Sequence, residues 1–278
     1  MKIVLLGKQG QVGWELQRSL SALGEVFSFD RRDPNCGDLT QTERLYQGII
    51  DIKPQVIVNA AAYTAVDRAE SEAELARLTN AKAPEALSLA AMELDALLVH
   101  YSSDYVFDGQ GTRPWQEDDQ AHPLNIYGQT KWEGEEAIRA SGCKHLIFRT
   151  SWVYGARGSN FAKTMLRLAA ERERLTVIGD QWGAPTSAEL LADVTALALH
   201  KLNSSEVSSN LLGTYHLAPS GEVSWHGYAS HVIEQARLLK PDLQLKVQEV
   251  AAISTADYPT PAKRPHNSRL DTTKIQKA

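Results

Sequence analysis

Lys2-Ile3-Val4-Leu5-Leu6-Gly7-Lys8-Gln9-Gly10-Gln11-Val12-Gly13 opens the chain and decides its fold. A short β-branched and leucine run leads into a G-x-x-G-x-x-G turn. A helical pattern follows, with Val12, Leu16, Leu20 and Leu23 on one face. Strand, glycine turn and helix in that order give the glycines a meaning that the motif alone lacks. Gly7 permits a tight turn, Gly10 lets backbone approach a pyrophosphate, and Gly13 lets the helix pack close. The helix start, around Gln11 and Val12, then offers free N–H groups to phosphate. A second strand, Val26 to Phe29, ends at Asp30, where an acid can accept the ribose hydroxyls of a dinucleotide. Arg31 and Arg32 follow directly. The acid favours NADH and an arginine can clamp the 2′-phosphate of NADPH, so both cofactors stay open.

Alternation of strand and helix continues outward from this start. A helix is expected over Thr40 to Ile52 and a third strand over Val56 to Val58, running into Asn59-Ala60-Ala61-Ala62. A long helical stretch spans about Ala65 to Glu93, with Pro84 marking a break or a first turn. A fourth strand, Ala96 to Tyr101, delivers Ser102, Ser103 and Asp104. A polar loop covers Asp108 to Pro123, and His145 to Arg149 reads as a fifth strand. This rhythm predicts an α/β fold with a Rossmann-type, doubly wound parallel sheet covered on both faces. Ligands then sit at the carboxyl ends of the strands. After residue 150 the rhythm loosens. Helices are expected at Asn160 to Glu173, Glu189 to Leu202 and His226 to Leu239, with strands at Leu175 to Ile178 and Gly213 to Leu217. A polar loop falls at 204–210. The expected division is a dinucleotide-binding domain over 1–150 and a smaller substrate-binding lobe over 151–278, interleaved with the sheet edge.

Tyr127-Gly128-Gln129-Thr130-Lys131 places a phenol and an ammonium on one face of a helix. A phenol there can hand a proton to a reacting oxygen, and a nearby cation eases formation of the phenolate. Ser103, at the end of the preceding strand, can hold that oxygen. Tyr101 and Tyr105 are competing acids, but neither is followed by a lysine at the right spacing.

Composition limits the alternatives. The 278 residues carry a net charge of −5, with 43% apolar and 23% charged residues, and basic residues are scattered. No nucleic-acid surface is expected. No apolar run approaches the roughly 20 residues that span a bilayer, and a core strand begins at once, so neither membrane nor secretion is expected. Cys36 and Cys143 have no metal or redox spacing and fit reduced thiols in the cytoplasm.

Taken together, G-x-x-G-x-x-G, Asn59-Ala60-Ala61-Ala62, Ser102-Ser103-Asp104-Tyr105-Val106-Phe107-Asp108-Gly109 and Tyr127 to Lys131 resemble the extended short-chain dehydrogenase/reductases. Arg149 to Gly155, Asn160-Phe161-Ala162, Asp180 to Thr186 and Arg264 to Leu270 narrow the resemblance to the dTDP-4-dehydrorhamnose reductase family, over essentially the whole chain. The resemblance implies hydride transfer from NADPH or NADH to C4 of a dTDP-bound 4-keto-6-deoxy sugar. It implies Tyr127 as the acid, Lys131 as the group that binds the nicotinamide ribose and keeps the tyrosine acidic, and Ser103 in a position where the family usually carries threonine. It assigns Gly10, Gln11, Val12, Asp30, Asp38, Leu39, Ala61, Ala62, Tyr63 and Thr64 to the cofactor. Trp152, Asp104, Asn160, Arg264 and Asn267 are assigned to the substrate. Glu15 and Glu189 match positions that hold Mg²⁺ between subunits in some members, and a homodimer is implied. Members of the family continue past Leu270-Asp271-Thr272-Thr273-Lys274 into a further apolar helix, so a missing C-terminal segment is expected. Two other readings remain: another nucleotide-sugar epimerase/reductase, and a non-catalytic NADP-binding subunit like the regulatory subunit of methionine adenosyltransferase. A dehydratase is disfavoured, because Asp104 is not followed by glutamate.

Overall fold

The computed structural model describes residues 1–34, 36–204 and 211–278. In the first half, β1 (Lys2–Leu6), β2 (Glu25–Phe29), β3 (Val56–Asn59), β4 (Leu97–Ser103) and β5 (His145–Thr150) alternate with helices. The helices are α1 (Gln11–Ser21), α2 (Thr42–Ile52), α3 (Val66–Ala69), α4 (Ala73–Arg77), α5 (Ala83–Glu93) and α6 (Ile126–Ser141). The second half adds β6 (Val153–Tyr154), α7 (Phe161–Glu171), β7 (Arg174–Ile178), β8 (Trp182–Gly183), β9 (Thr186–Ser187) and α8 (Ala188–Ser204). It ends with β10 (Gly213–His216), β11 (Val223–Ser224), α9 (Trp225–Leu239), β12 (Glu249–Ile253) and α10 (Thr273–Lys277). The expected loop at 204–210 lies outside the described residues apart from Ser204, which ends α8.

Six parallel strands form the main sheet in the order β10-β5-β4-β3-β1-β2. The inner strands β1 and β3 read as continuous apolar runs because both faces are covered. Val4 and Leu6 of β1 pack with Leu45 of α2, Leu87 of α5 and Ile138 of α6. Their alternates Ile3 and Leu5 pack with Leu16 of α1 and Leu191 of α8. The order reverses around β1, with β2 on one side and β3 on the other. This is the switch point at which open α/β sheets form a ligand crevice.

The long helix expected over Ala65 to Glu93 is instead α3, α4, a wide turn over Leu78–Lys82 and α5. The Ser71 hydroxyl bonds back to the Arg68 carbonyl and competes with helix at the first break. Pro84, in the first turn of α5, has no N–H to return to the Asn80 carbonyl. Gly134 of α6 comes so close to that carbonyl that a Cβ would lie 2.2 Å from its oxygen. Beyond the sheet, β7 pairs in parallel with β12. Leu175, Ala169, Ile233 and Val247 form a small core of their own between that pair and α7 and α9. The β12 strand was not expected from the sequence.

Candidate functional site

A cleft of about 1020 Å³ opens at the carboxyl ends of β1, β3 and β4. Gly7 turns the chain at the end of β1 with φ +87°. A Cβ there would lie 2.8 Å from Ala61 N, so β1 and the end of β3 meet only because residue 7 is glycine. Gly13 is constrained harder, since a Cβ would fall 2.1 Å from the Gly7 carbonyl oxygen. It packs on the turn itself rather than on the strand. No side chain caps α1, so its first-turn N–H groups have no capping partner, and Gly10, Gln11 and Val12 line the cleft.

Asp30 closes the far end of the cleft, and the neighbouring arginines divide there. Arg32 donates to the Asp30 carboxylate from its backbone N–H at 2.9 Å and from Nη2 at 3.1 Å. These bonds hold the carboxyl well down, at about 2. Arg31 lines the same wall and makes no ion pair among the described residues. Asp38 and Leu39 also line it, with Asp38 Oδ1 accepting from the Thr40 N–H at 3.0 Å. Ala61, Ala62, Tyr63 and Thr64 form the opposite wall. Asn80 fixes that wall by accepting from the Tyr63 N–H at 2.8 Å and donating to the Tyr63 carbonyl at 3.1 Å. Sequence reasoning missed Asn80, which has no spacing signature and sits inside the wide turn.

Ser103 ends β4 with its hydroxyl donating to Asp104 Oδ1 at 3.0 Å and accepting from the Tyr105 N–H at 3.2 Å. Asp104 is 1% exposed, and this burial pushes its carboxyl up to about 6. The Asn125 side chain caps α6 by accepting from the Gly128 N–H at 2.8 Å. The half-buried Tyr127 follows, edge-on to Tyr105 with ring centroids 5.4 Å apart. Burial pushes the Tyr127 phenol up to about 12, and the charge of Asp104 adds to this while a hydrogen bond with Ser103 opposes it. Lys131 is 2% exposed and donates to the Tyr101 carbonyl at 2.6 Å. Its Nζ also lies 3.2 Å from His100 Nε2. Tyr127 and Lys131 both line the cleft, with the lysine Nζ bonded to β4 behind it. Burial pushes Lys131 down to about 8, partly offset by Glu135.

Trp152 holds φ +50°, a left-handed conformation that a bulky residue seldom adopts. It is fixed by stacking on Trp225 at 3.5 Å and by Gly183, where a Cβ would meet its ring at 2.8 Å. Both tryptophans line the cleft. Trp225 was missed because an aromatic at the start of a helix reads as core. Thr150 Oγ1, also in the cleft wall, is buried without a partner among the described residues.

Three residues assigned to substrate by resemblance stand outside the cleft lining. Asn160 caps α7 through the Lys163 N–H at 3.1 Å and donates to Gln11 Oε1 at 3.0 Å and the Gly155 carbonyl at 2.8 Å. Asn267 donates to the Arg113 carbonyl at 2.8 Å and accepts from Arg269. Both amides are spent on ordering loops. Arg264 pairs with Asp67 at 2.7 Å. Glu15 lies 3.7 Å from Arg18, and no group of three or more metal-ligating side chains exists among the described residues. Glu15 and Glu189 supply two of the several oxygen ligands that a hard cation needs, and the site the resemblance implies lies between subunits.

A reduced nicotinamide dinucleotide fits this cleft by its glycine cradle, its uncapped helix start and the Asp30–Arg31 end. Comparisons with known proteins agree with the geometry. The model of the RmlD substrate binding domain matches residues 1–278. The dTDP-4-dehydrorhamnose reductase of Escherichia coli K12 is 54% identical, over 99% of this chain and 91% of the relative. A crystal structure of a dTDP-4-dehydrorhamnose reductase, an RfbD ortholog from Clostridium acetobutylicum, superposes with TM-score 0.88 at 36% identity, covering 100% of this chain and 92% of that one. The Bacillus anthracis enzyme of the same name, solved in complex with NADP, gives 0.86 at 33% identity over 99% of this chain and 92% of that one. The chain belongs to the dTDP-4-dehydrorhamnose reductase family.

Proposed function

We propose that this chain reduces dTDP-4-dehydro-6-deoxy-L-mannose to dTDP-L-rhamnose, for cell-surface polysaccharide synthesis, using NADPH or NADH. The observation that carries this reading is that Ser103, at the end of β4, Tyr127 and Lys131 all line one glycine-turned dinucleotide cleft. The cofactor, when bound, supplies the hydride that forms the new C4–H bond. Ser103 and Tyr127 hold the C4 oxygen by hydrogen bonds. The Tyr127 O–H proton passes to that oxygen as its negative charge develops, and solvent restores the proton to the phenolate. A phenol raised by burial keeps its proton at neutral pH and gives it up only to a stronger base, as a developing alkoxide is. Trp152 presents its ring to the sugar, supported from behind by Trp225.

Arg31 serves the 2′-phosphate of NADPH, because Arg32 is engaged by Asp30. Asn160 and Asn267 position the cleft walls rather than touch substrate. No step needs a metal. No described helix is long and apolar enough to cross a membrane, and Cys36 and Cys143 are buried free thiols. The family resemblance further implies a cytoplasmic homodimer without nucleic-acid partners.

The test is oxidation of NADPH and NADH, separately, with and without the 4-keto sugar. Oxidation that needs the sugar is expected, and a Tyr127→Phe variant should bind cofactor normally while turnover falls by about 10²–10⁴. Dinucleotide binding without sugar-dependent oxidation would overturn the reading and favour a regulatory subunit.

A further inference from the structure

A polar chain runs behind the cleft. The Ala61 N–H donates to Asn59 Oδ1 at 3.2 Å, and Asn59 Nδ2 lies 3.1 Å from His100 Nδ1. His100 Nε2 in turn lies 3.2 Å from Lys131 Nζ. Asn59 and His100 are each 1% exposed and Lys131 is 2% exposed, so their polar atoms rely on one another.

Two orders of donors and acceptors keep His100 bonded to both Asn59 and Lys131, whose Nζ also donates to the Tyr101 carbonyl at 2.6 Å. A backbone N–H only donates, so Asn59 turns its oxygen to Ala61 and its amide nitrogen to His100 Nδ1. A neutral imidazole has one N–H and one lone pair. With Nδ1 accepting, Nε2 carries the hydrogen and points it at Lys131 Nζ. An amine has a lone pair to receive it, and an ammonium has none. A charged Lys131 needs the reverse: it donates to Nε2, the imidazole hydrogen moves to Nδ1, and Asn59 turns its oxygen to His100. The Ala61 N–H then loses its acceptor.

An imidazolium does not resolve the conflict, since burial and the adjacent lysine hold His100 far below its ordinary value. Glu135 of α6 is the carboxylate acting on Lys131, and it is neutralised by Arg149 of β5 at 2.7 Å and Arg139 of α6 at 3.1 Å. Neither form of the lysine is therefore fixed by a dedicated counter-ion.

We infer that Asn59 and His100 couple the proton on Lys131 to the Ala61 N–H, with the amine tied to Nε2–H imidazole and a bonded Ala61, and the ammonium tied to Nδ1–H imidazole and a released Ala61. His100 is thus a positioning residue for Lys131. The use of this linkage in turnover rests on the proposed roles of Tyr127 and Lys131, whereas the linkage itself does not.

The experiment is magnetic resonance of isotope-labelled histidine ring nitrogens in the full chain, from well below to well above the Lys131 titration near pH 8. His100 is identified by the signals lost in His100→Gln or, where that chain does not fold, by contacts of its ring protons with Asn59. The expected result is a change from Nδ1–H at low pH to Nε2–H at high pH with no imidazolium between. In Lys131→Met the Nε2–H form should persist throughout. A single tautomer across the range in the native chain, or a change that survives in Lys131→Met, would overturn the inference. Loss of sugar turnover would not bear on this result, so the two readings fail separately.

Discussion

Gly128 sits against the carbonyl of Tyr105, where a Cβ would lie 2.1 Å from the oxygen. This contact fixes how near α6 comes to the end of β4, and so how near Tyr127 comes to Ser103. Gly128→Ala must push the helix start outward. A misplacement of about 1 Å can cost about 10²-fold in rate, so kcat should fall by one to two orders of magnitude while dinucleotide affinity is kept. Titration of cofactor binding beside steady-state kinetics checks this. An unchanged kcat would show that the closeness of the two elements is not what positions the acid.

Lys131 gives a pH signature in stability. Its ordinary value is 10.5, and burial brings the folded value to about 8. Between those limits the unfolded chain binds more protons than the folded one, so stability rises with pH across that window. Below about 8 both states are protonated and the cost of the buried charge is fully present. Denaturant unfolding should find Lys131→Met more stable than the native chain below that point, with the advantage shrinking steadily up to 10.5. A pH-independent difference would mean that Lys131 is not held as a buried, unpaired cation.

Arg149 and Glu135 form a buried ion pair at 2.7 Å, with the partners 2% and 0% exposed. Removing one partner leaves a charge without compensation, which typically costs about 3–5 kcal/mol. Arg149→Met should therefore lower the unfolding free energy by about that much. The double variant Arg149→Met/Glu135→Leu should recover part of it. Arg139 also contacts Glu135, at 3.1 Å, which places the single variant toward the lower end.

Arg31 is proposed to separate the two cofactors. A charge-assisted hydrogen bond is worth about 1.5–3 kcal/mol. Arg31→Ala should weaken NADPH by about ten-fold or more and leave NADH nearly unchanged. Binding measured by quenching of tryptophan fluorescence distinguishes the two. Equal losses for both cofactors would place Arg31 away from the 2′-phosphate.

The sheet was legible because β1, β3, β4 and β5 are apolar runs closed by glycine, small or polar residues. The glycine turn and the Tyr127–Lys131 spacing were legible because both are local. What the sequence hid depends on contacts far apart in the chain. Asn80 serves Tyr63, and His100 serves Lys131, through hydrogen bonds between separate elements. Nothing in their local pattern marks them. The β12 strand was hidden because Glu249-Val250-Ala251-Ala252-Ile253 becomes a strand by pairing with β7. Asn160 and Asn267 carry the right chemistry for a ligand, and only the coordinates reveal that their amides are committed within the chain.

The most direct measurement is transfer of label from dinucleotide deuterated at the nicotinamide C4 to the 4-keto sugar, read by magnetic resonance of the isolated product. The account predicts deuterium at C4 of dTDP-L-rhamnose, in proportion to cofactor oxidised. Deuterium at another carbon, or cofactor oxidised with an unlabelled sugar, would contradict it.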